Sequence, residues 1–160
     1  KYFIESHLKI IKKITKKNKV KLILNDDPYL AKKYNLDGCH LGQKDTEMRK
    51  ARKLIKKKII GITCHNSIDL VKEAIKNKAD YIALGSFYKS NLKPKAIRID
   101  LKTLSKIRKK TKLPIVGIGG ITNKNFKNVL KYGANYIAIS SFIWNNRTLK
   151  PFEAIKKFKV

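Results

Sequence analysis

Apolar residues recur along this chain at two spacings, and the spacing switches again and again. From Tyr2 to Lys17, Ile4, Leu8, Ile11 and Ile14 follow one another at three and four, which predicts a helix with a lysine-rich outer face. Val20 to Leu24 is then a continuous apolar run, and a continuous run of that length predicts a buried strand. Pro28 opens a short helix, Tyr29 to Tyr34, followed by a strand at Gly38 to Leu41. Asp45 is placed to cap a helix that turns Met48, Ala51, Leu54 and Ile55 inward and ends in Lys56 to Lys58. A strand at Ile59 to Cys64 comes next, then a helix capped by Asn66 or Ser67 that carries Ile68, Val71, Ala74 and Ile75, then a strand at Tyr81 to Leu84. After a long polar stretch from Phe87 to Arg98, Asp100 caps a helix with Leu101, Leu104 and Ile107. Ile115 to Ile118 reads as a strand, Thr122 as the cap of a helix with Phe126, Val129 and Leu130, Tyr136 to Ile139 as a strand, and Pro151 to Phe158 as the last helix.

Strand and helix alternate, and the strands are short and apolar throughout, so the pattern predicts a parallel α/β protein with six strands. A (β/α)₈ barrel needs eight strands and about 200 to 250 residues. The expectation is a barrel of that type lacking its first two strands, with residues 1–160 as a single N-terminally truncated domain. A doubly wound sheet is the alternative, but the glycine-rich turn expected after its first strand has no counterpart here.

Charge changes this picture less than its size suggests. The 39 Lys plus Arg against 11 Asp plus Glu give a formal net charge of +28, which points to nucleic acid if the charge is focused. It is scattered over nearly every helix and turn, and Arg, the residue of phosphate clamps and base readout, is scarce. No nucleic-acid partner is expected, and the basic surface suits small anionic substrates. Cys39 and Cys64 have no metal-ligand spacing and read as buried reduced thiols. No apolar run approaches a membrane span, so the expectation is a cytoplasmic protein without a membrane partner. Homo-oligomerisation is left open, since an opened barrel exposes strand edges.

The unusual polar residues fall at the C-terminal ends of the strands: Asn25 and Asp26, Gln43 and Asp45, Thr63 to Asn66, Ser86 to Lys93, Gly119 to Thr122, and Ser140 with Ser141. In an α/β barrel that rim holds the active site. Within LNDDPYLAKKYNLDGCHLGQKD, from Leu24 to Asp45, the ends of two strands bring Asp26 and Asp45 together if those strands are parallel neighbours. Paired carboxylates of this kind either raise each other's pKa or share a divalent cation, and oxygen ligands suit Mg²⁺. Turn chemistry and helix capping explain most lone Asp residues. GIGGIT at Gly117 to Thr122 and AISS at Ala138 to Ser141 suit a phosphate, because glycine lets the backbone approach an anion and helix N-termini offer unpaired N–H groups. His65 has the chemistry of a general acid or base, His40 reads as a satisfied strand histidine and His7 as a surface residue, and no catalytic role is assigned to any of the three.

LNDDPYLA, DGCHLGQKD, GITCHN, DYIALGSFYKSNLK, PIVGIGGIT and GANYIAISS resemble, in order and spacing, the thiamine-phosphate synthases, a family of α/β barrel enzymes. The resemblance runs over nearly the whole chain from Lys21. It implies a transferase of thiamine biosynthesis that joins hydroxymethylpyrimidine diphosphate to thiazole phosphate and releases diphosphate. By matching, Asp26 and Asp45 would hold Mg²⁺, Asn25 would contact the pyrimidine diphosphate, and Thr63, standing where the family has a serine, would bind substrate. Lys93 would serve catalysis by binding the diphosphate, beside Ser90 and Asn91. Gly120, Ser140 and Ser141 would hold the thiazole phosphate. Loss of diphosphate would leave a pyrimidine cation for the thiazole nitrogen to attack, a reaction that needs no protein nucleophile.

Two departures accompany the resemblance. The family's TxTK loop reads Ser90-Asn91-Leu92-Lys93, with Leu92 in place of a threonine, and the family's QxRxK motif has no counterpart. The alternatives are a thiazole tautomerase-like enzyme, with His65 at its histidine position, and a non-catalytic phosphate-ligand-binding relative. Tautomerases tend to lack the two aspartates, so Asp26 and Asp45 favour the synthase.

Overall fold

A computed structural model of the chain describes residues 2–89 and 96–159. The chain forms two compact units, Lys1–Thr63 and Cys64–Val160, divided inside a strand.

The first unit begins with α1 (Tyr2–Lys17), followed by β1 (Ile23–Asn25), α2 (Pro28–Lys33), β2 (Gly38–Leu41), α3 (Met48–Ile55) and most of β3 (Ile59–His65). Its strands are parallel and in chain order, with Asn25 opposite His40 and Leu41 opposite Ile62. Cys39, Leu41 and Ile60 are buried from the strands, and Ala31, Leu36, Met48, Ala51 and Ile55 are buried against them. β1 starts later than the apolar run at Val20. The Asp37 carboxylate accepts the Leu22 N–H at 2.9 Å and Asp37 N–H donates to the Leu22 carbonyl, so a side chain replaces the first rung of the ladder. The stripe on α1 is only partly buried: Leu8 is 5% exposed, whereas Ile11 and Ile14 are 41% and 55% exposed. What fixes α1 is polar, since Lys12 Nζ donates to the Tyr34 carbonyl and Glu5 takes both Lys33 and the Tyr34 hydroxyl.

The second unit continues with α4 (Ile68–Lys76), β4 (Tyr81–Leu84), α5 (Leu101–Arg108), β5 (Ile115–Ile118), α6 (Phe126–Lys131), β6 (Tyr136–Ala138), α7 (Ser141–Trp144) and α8 (Pro151–Ile155). β4, β5 and β6 are again parallel and in chain order. Ile82, Leu84, Leu104, Ile107, Ile115, Phe126 and Val129 form its core. Ser67 and Asp100 cap α4 and α5 as the sequence leads one to expect, each accepting the N–H three residues on. Thr122 does not cap α6. Asn125 Oδ1 accepts the Thr122 N–H, and α6 begins four residues after Thr122. Ile75, four residues after Val71 and expected inward with it, lies at the edge of the stripe and is 43% exposed. β6 ends at Ala138 and α8 at Ile155, both short of their expected limits, and α7 has no precursor in the apolar pattern.

Helix ends explain several polar clusters. After α1, α2, α4 and α6 a residue in the left-handed region, Lys19, Asn35, Lys78 or Gly133, is followed by an apolar residue, Val20, Leu36, Ala79 or Ala134. Each apolar residue donates its N–H back across the last turn, as Leu36 N does to the Ala31 carbonyl at 2.9 Å and Ala79 N to the Ala74 carbonyl at 2.9 Å. This is the Schellman termination, which satisfies the last carbonyls and turns the chain towards the next strand.

Candidate functional site

In the first unit the strand register determines which side chains gather at the strand ends. β1 runs out at Asn25, and Asp26 follows with φ of 71° and its N–H on the His40 carbonyl at 2.8 Å. A left-handed Asp is uncommon, and here it swings the chain out of the strand so that the next residue, Asp27, caps α2 through the Leu30 N–H at 2.8 Å. Of the adjacent aspartates, Asp27 is therefore taken by the helix, while Asp26 stays exposed at the strand end.

Asp45 does not cap α3, whose N-cap is Glu47. Its carboxylate instead folds back on its own turn and accepts the Gly42 N–H at 2.6 Å, closing the loop that leaves β2. Gly42 allows this, since a Cβ there would stand 2.9 Å from Asp45 Oδ2. Burial pushes the Cys39 thiol up to about 12, and the negative charges of Asp26, Asp27 and Asp45 push in the same direction. Asn25 pairs with His40 across the ladder, which sets the ends of β1 and β2 side by side. Among the described residues no three His, Cys, Asp or Glu side chains form a metal-binding group. Two exposed carboxylates at adjacent strand ends suit Mg²⁺, which takes one or two carboxylates and fills its other positions with water and phosphate oxygens.

Thr63, near the end of β3, is held from two sides. Gln43 Nε2 donates to its carbonyl at 2.5 Å, and His40 Nε2 lies 2.9 Å from its hydroxyl oxygen. Burial holds the His40 imidazole below the usual histidine value, and the Asp45 charge acts against that shift. Asn25 is exposed at the end of β1.

In the second unit the corresponding positions are built from backbone. Gly119 and Gly120 have φ of 99° and 62°, and a Cβ on Gly120 would lie 2.4 Å from the Lys89 carbonyl oxygen. Tyr88 N–H donates to the Gly119 carbonyl at 3.0 Å, and Asn125 Nδ2 donates to the Gly120 carbonyl at 3.1 Å. Ile118 pairs with Ala138 at the end of the ladder, and Gly120 and Ser140 each follow two residues after that pair. Ser140 is exposed and precedes α7 without spending its hydroxyl on a cap, and Ser141 is the first residue of α7. His65 ends β3 with φ of 50°. Ser90, Asn91, Leu92 and Lys93 lie outside the described residues. The roles of His40 and Gln43 were not singled out by motif. Strand parity was the available signal, because His40 faces Gly61 across the ladder and Thr63 is two residues further on the same side.

Residues 4–143 match the family described as thiamine monophosphate synthase. The chain belongs to the thiamine monophosphate synthase family. It is 58% identical over 151 residues to a thiamine-phosphate synthase of Pelagibacter ubique, covering 94% of this chain and 73% of that protein. It is also 40% identical over 161 residues to a thiamine-phosphate synthase of Clostridium acetobutylicum, covering 97% and 75%. The structure resembles thiamine phosphate pyrophosphorylase from Pyrococcus furiosus with a TM-score of 0.83 and 29% identity, over 91% of this chain and 69% of that one. The expected fold class, parallel α/β of the barrel type, is the one these relatives bear out. Thiamine-phosphate synthases are transferases of thiamine biosynthesis, and the chain takes that activity class from its family. Among the described residues no helix is long and apolar enough to cross a membrane.

Proposed function

We propose that the chain forms thiamine phosphate by joining hydroxymethylpyrimidine diphosphate to thiazole phosphate, with release of diphosphate. The observation that carries this reading is the pair Asp26, just after β1, and Asp45, in the turn that leaves the adjacent parallel strand β2, in a chain 58% identical to a thiamine-phosphate synthase. Asp26 and Asp45 would hold Mg²⁺, which neutralises charge on a departing diphosphate when bound. Asn25 and Thr63 bind the pyrimidine diphosphate from the same strand ends. Lys93, with Ser90 and Asn91, adds a positive charge and polar contacts to the leaving group. Gly120 offers a close backbone approach, and Ser140 and Ser141 offer hydroxyls, to the thiazole phosphate. No residue need act as a nucleophile, so the protein's contribution is orientation and charge.

The tautomerase-like reading rests on His65 at the end of β3. The retained aspartates weigh against it. The test is formation of thiamine phosphate from the two phosphorylated substrates with and without Mg²⁺. Product that requires Mg²⁺ and is lost in Asp26→Asn supports the synthase. Thiazole isomerisation without coupling, lost in His65→Gln, would replace it, and binding of thiazole phosphate with neither reaction would leave a ligand-binding relative.

A further inference from the structure

We propose that His40 is a positioning residue that turns the Thr63 hydroxyl into a hydrogen-bond donor towards the substrate's diphosphate. The proposal rests on the reading of Thr63 given above. It starts from strand geometry. His40 pairs with Gly61 across the β2–β3 ladder, and Thr63 stands two residues beyond Gly61, so both side chains leave the same face of the sheet. Gly61 has no side chain to stand between them. The imidazole therefore reaches diagonally, and Nε2 meets Thr63 Oγ1 at 2.9 Å. Gln43 holds the Thr63 carbonyl from the other side at 2.5 Å, so the residue is held by main chain and side chain together.

The bond can run in two directions, with opposite consequences. If Nε2 is bare, it accepts the hydroxyl proton and leaves only oxygen lone pairs to face an incoming anion. If Nε2 carries the hydrogen, it donates to Oγ1 and the Thr63 O–H is released to donate elsewhere. A phosphate oxygen is an acceptor, and only the second arrangement serves it. A neutral imidazole donating through Nε2 thus sets the polarity of a hydroxyl that it does not share with the substrate.

The ¹⁵N shifts of the His40 ring in the whole chain read the tautomer directly. The Nε2–H form is expected, and an Nδ1–H form with bare Nε2 overturns the proposal. Calorimetric titration with inorganic diphosphate in the presence of Mg²⁺ then reads the consequence. His40→Leu should weaken binding roughly tenfold, the size of one hydrogen bond to a charged group. His40→Gln, whose amide restores a donor near the Nε2 position, should recover most of the loss. Thr63→Val should match His40→Leu, and the double variant should be no worse than either. In kinetics, KM for the pyrimidine diphosphate should rise in His40→Leu while KM for thiazole phosphate stays within about twofold, as expected for a single lost hydrogen bond. Additive losses in the double variant, or a Gln variant as poor as Leu, would reassign His40 to general packing. A parent chain that binds no diphosphate removes the synthase reading and this proposal with it, whereas normal binding by both parent and His40→Leu removes this proposal alone.

Discussion

The two units build their strand ends from different materials. In the first, the polar groups gathered there are side chains: Asp45, Thr63, His40 and Gln43, each held by a named hydrogen bond, and Asp26 at the end of β1. In the second, they are backbone and small hydroxyls: Gly119, Gly120, Ser140 and Ser141. Carboxylates suit a cation, and glycine backbone with hydroxyls suits an anion, so one repeated strand–helix plan carries two kinds of chemistry at its strand ends. The lesson concerns vulnerability. A side-chain site can lose its chemistry and keep its fold, whereas a backbone site loses both when a Cβ intrudes.

The strongest test of that contrast is Gly120→Ala. Its Cβ would meet the Lys89 and Tyr88 main chain under 3 Å at a positive φ, so stability should fall by about 3 kcal/mol in denaturant titration. Asp26→Asn should do the reverse. Asn tolerates the left-handed region as Asp does, so the thermal midpoint should hold while synthase turnover drops roughly a hundredfold or more. A large loss of stability in Asp26→Asn, or none in Gly120→Ala, would break the comparison.

Smaller effects sharpen it. Removing a helix cap should cost about 1 kcal/mol in the same titration for Asp27→Ala in the first unit, and Asp100→Ala in the second should lower the midpoint slightly and leave KM values unchanged. Lys78→Gly and Lys19→Gly relieve left-handed lysines at Schellman ends and should raise stability by up to about 1 kcal/mol. Acid should act through Asp37 and Asp100. The Leu22 N–H, then Lys21, holds the Asp37 carboxyl below its ordinary 3.8, and the Thr103 N–H does the same for Asp100. With folded values depressed, their stabilisation is complete above the ordinary value and fades as pH falls through the lower folded ones. Asp37→Asn should flatten that part of the acid unfolding curve slightly.

Much of the fold was legible because its determinants are local. The six apolar runs and the caps at Ser67 and Asp100 depend on neighbours three or four residues away, and periodicity displays those directly. The helix ends at Asn35 and Lys78 were missed, because a left-handed residue other than glycine leaves little trace in composition. α7 was missed for a related reason: four residues are too few to show a period. At the site, Asp26 and Asp45 stood out as polar residues closing apolar runs. Their separate duties did not, since Asp27 rather than Asp26 caps α2, and Asp45 binds Gly42 instead of capping α3.

Sequence alone determined the alternation of strand and helix, the carboxylates and glycines that end the strands, and the family resemblance, because each is carried by residue type and spacing. Only tertiary structure decided which side chains face one another. That His40 meets Thr63, that Asn25 stands beside His40, and that Ile118 stands beside Ala138 all follow from strand register. Register is a relation between segments some twenty residues apart, and a shift of one residue would send each of those side chains to the other face.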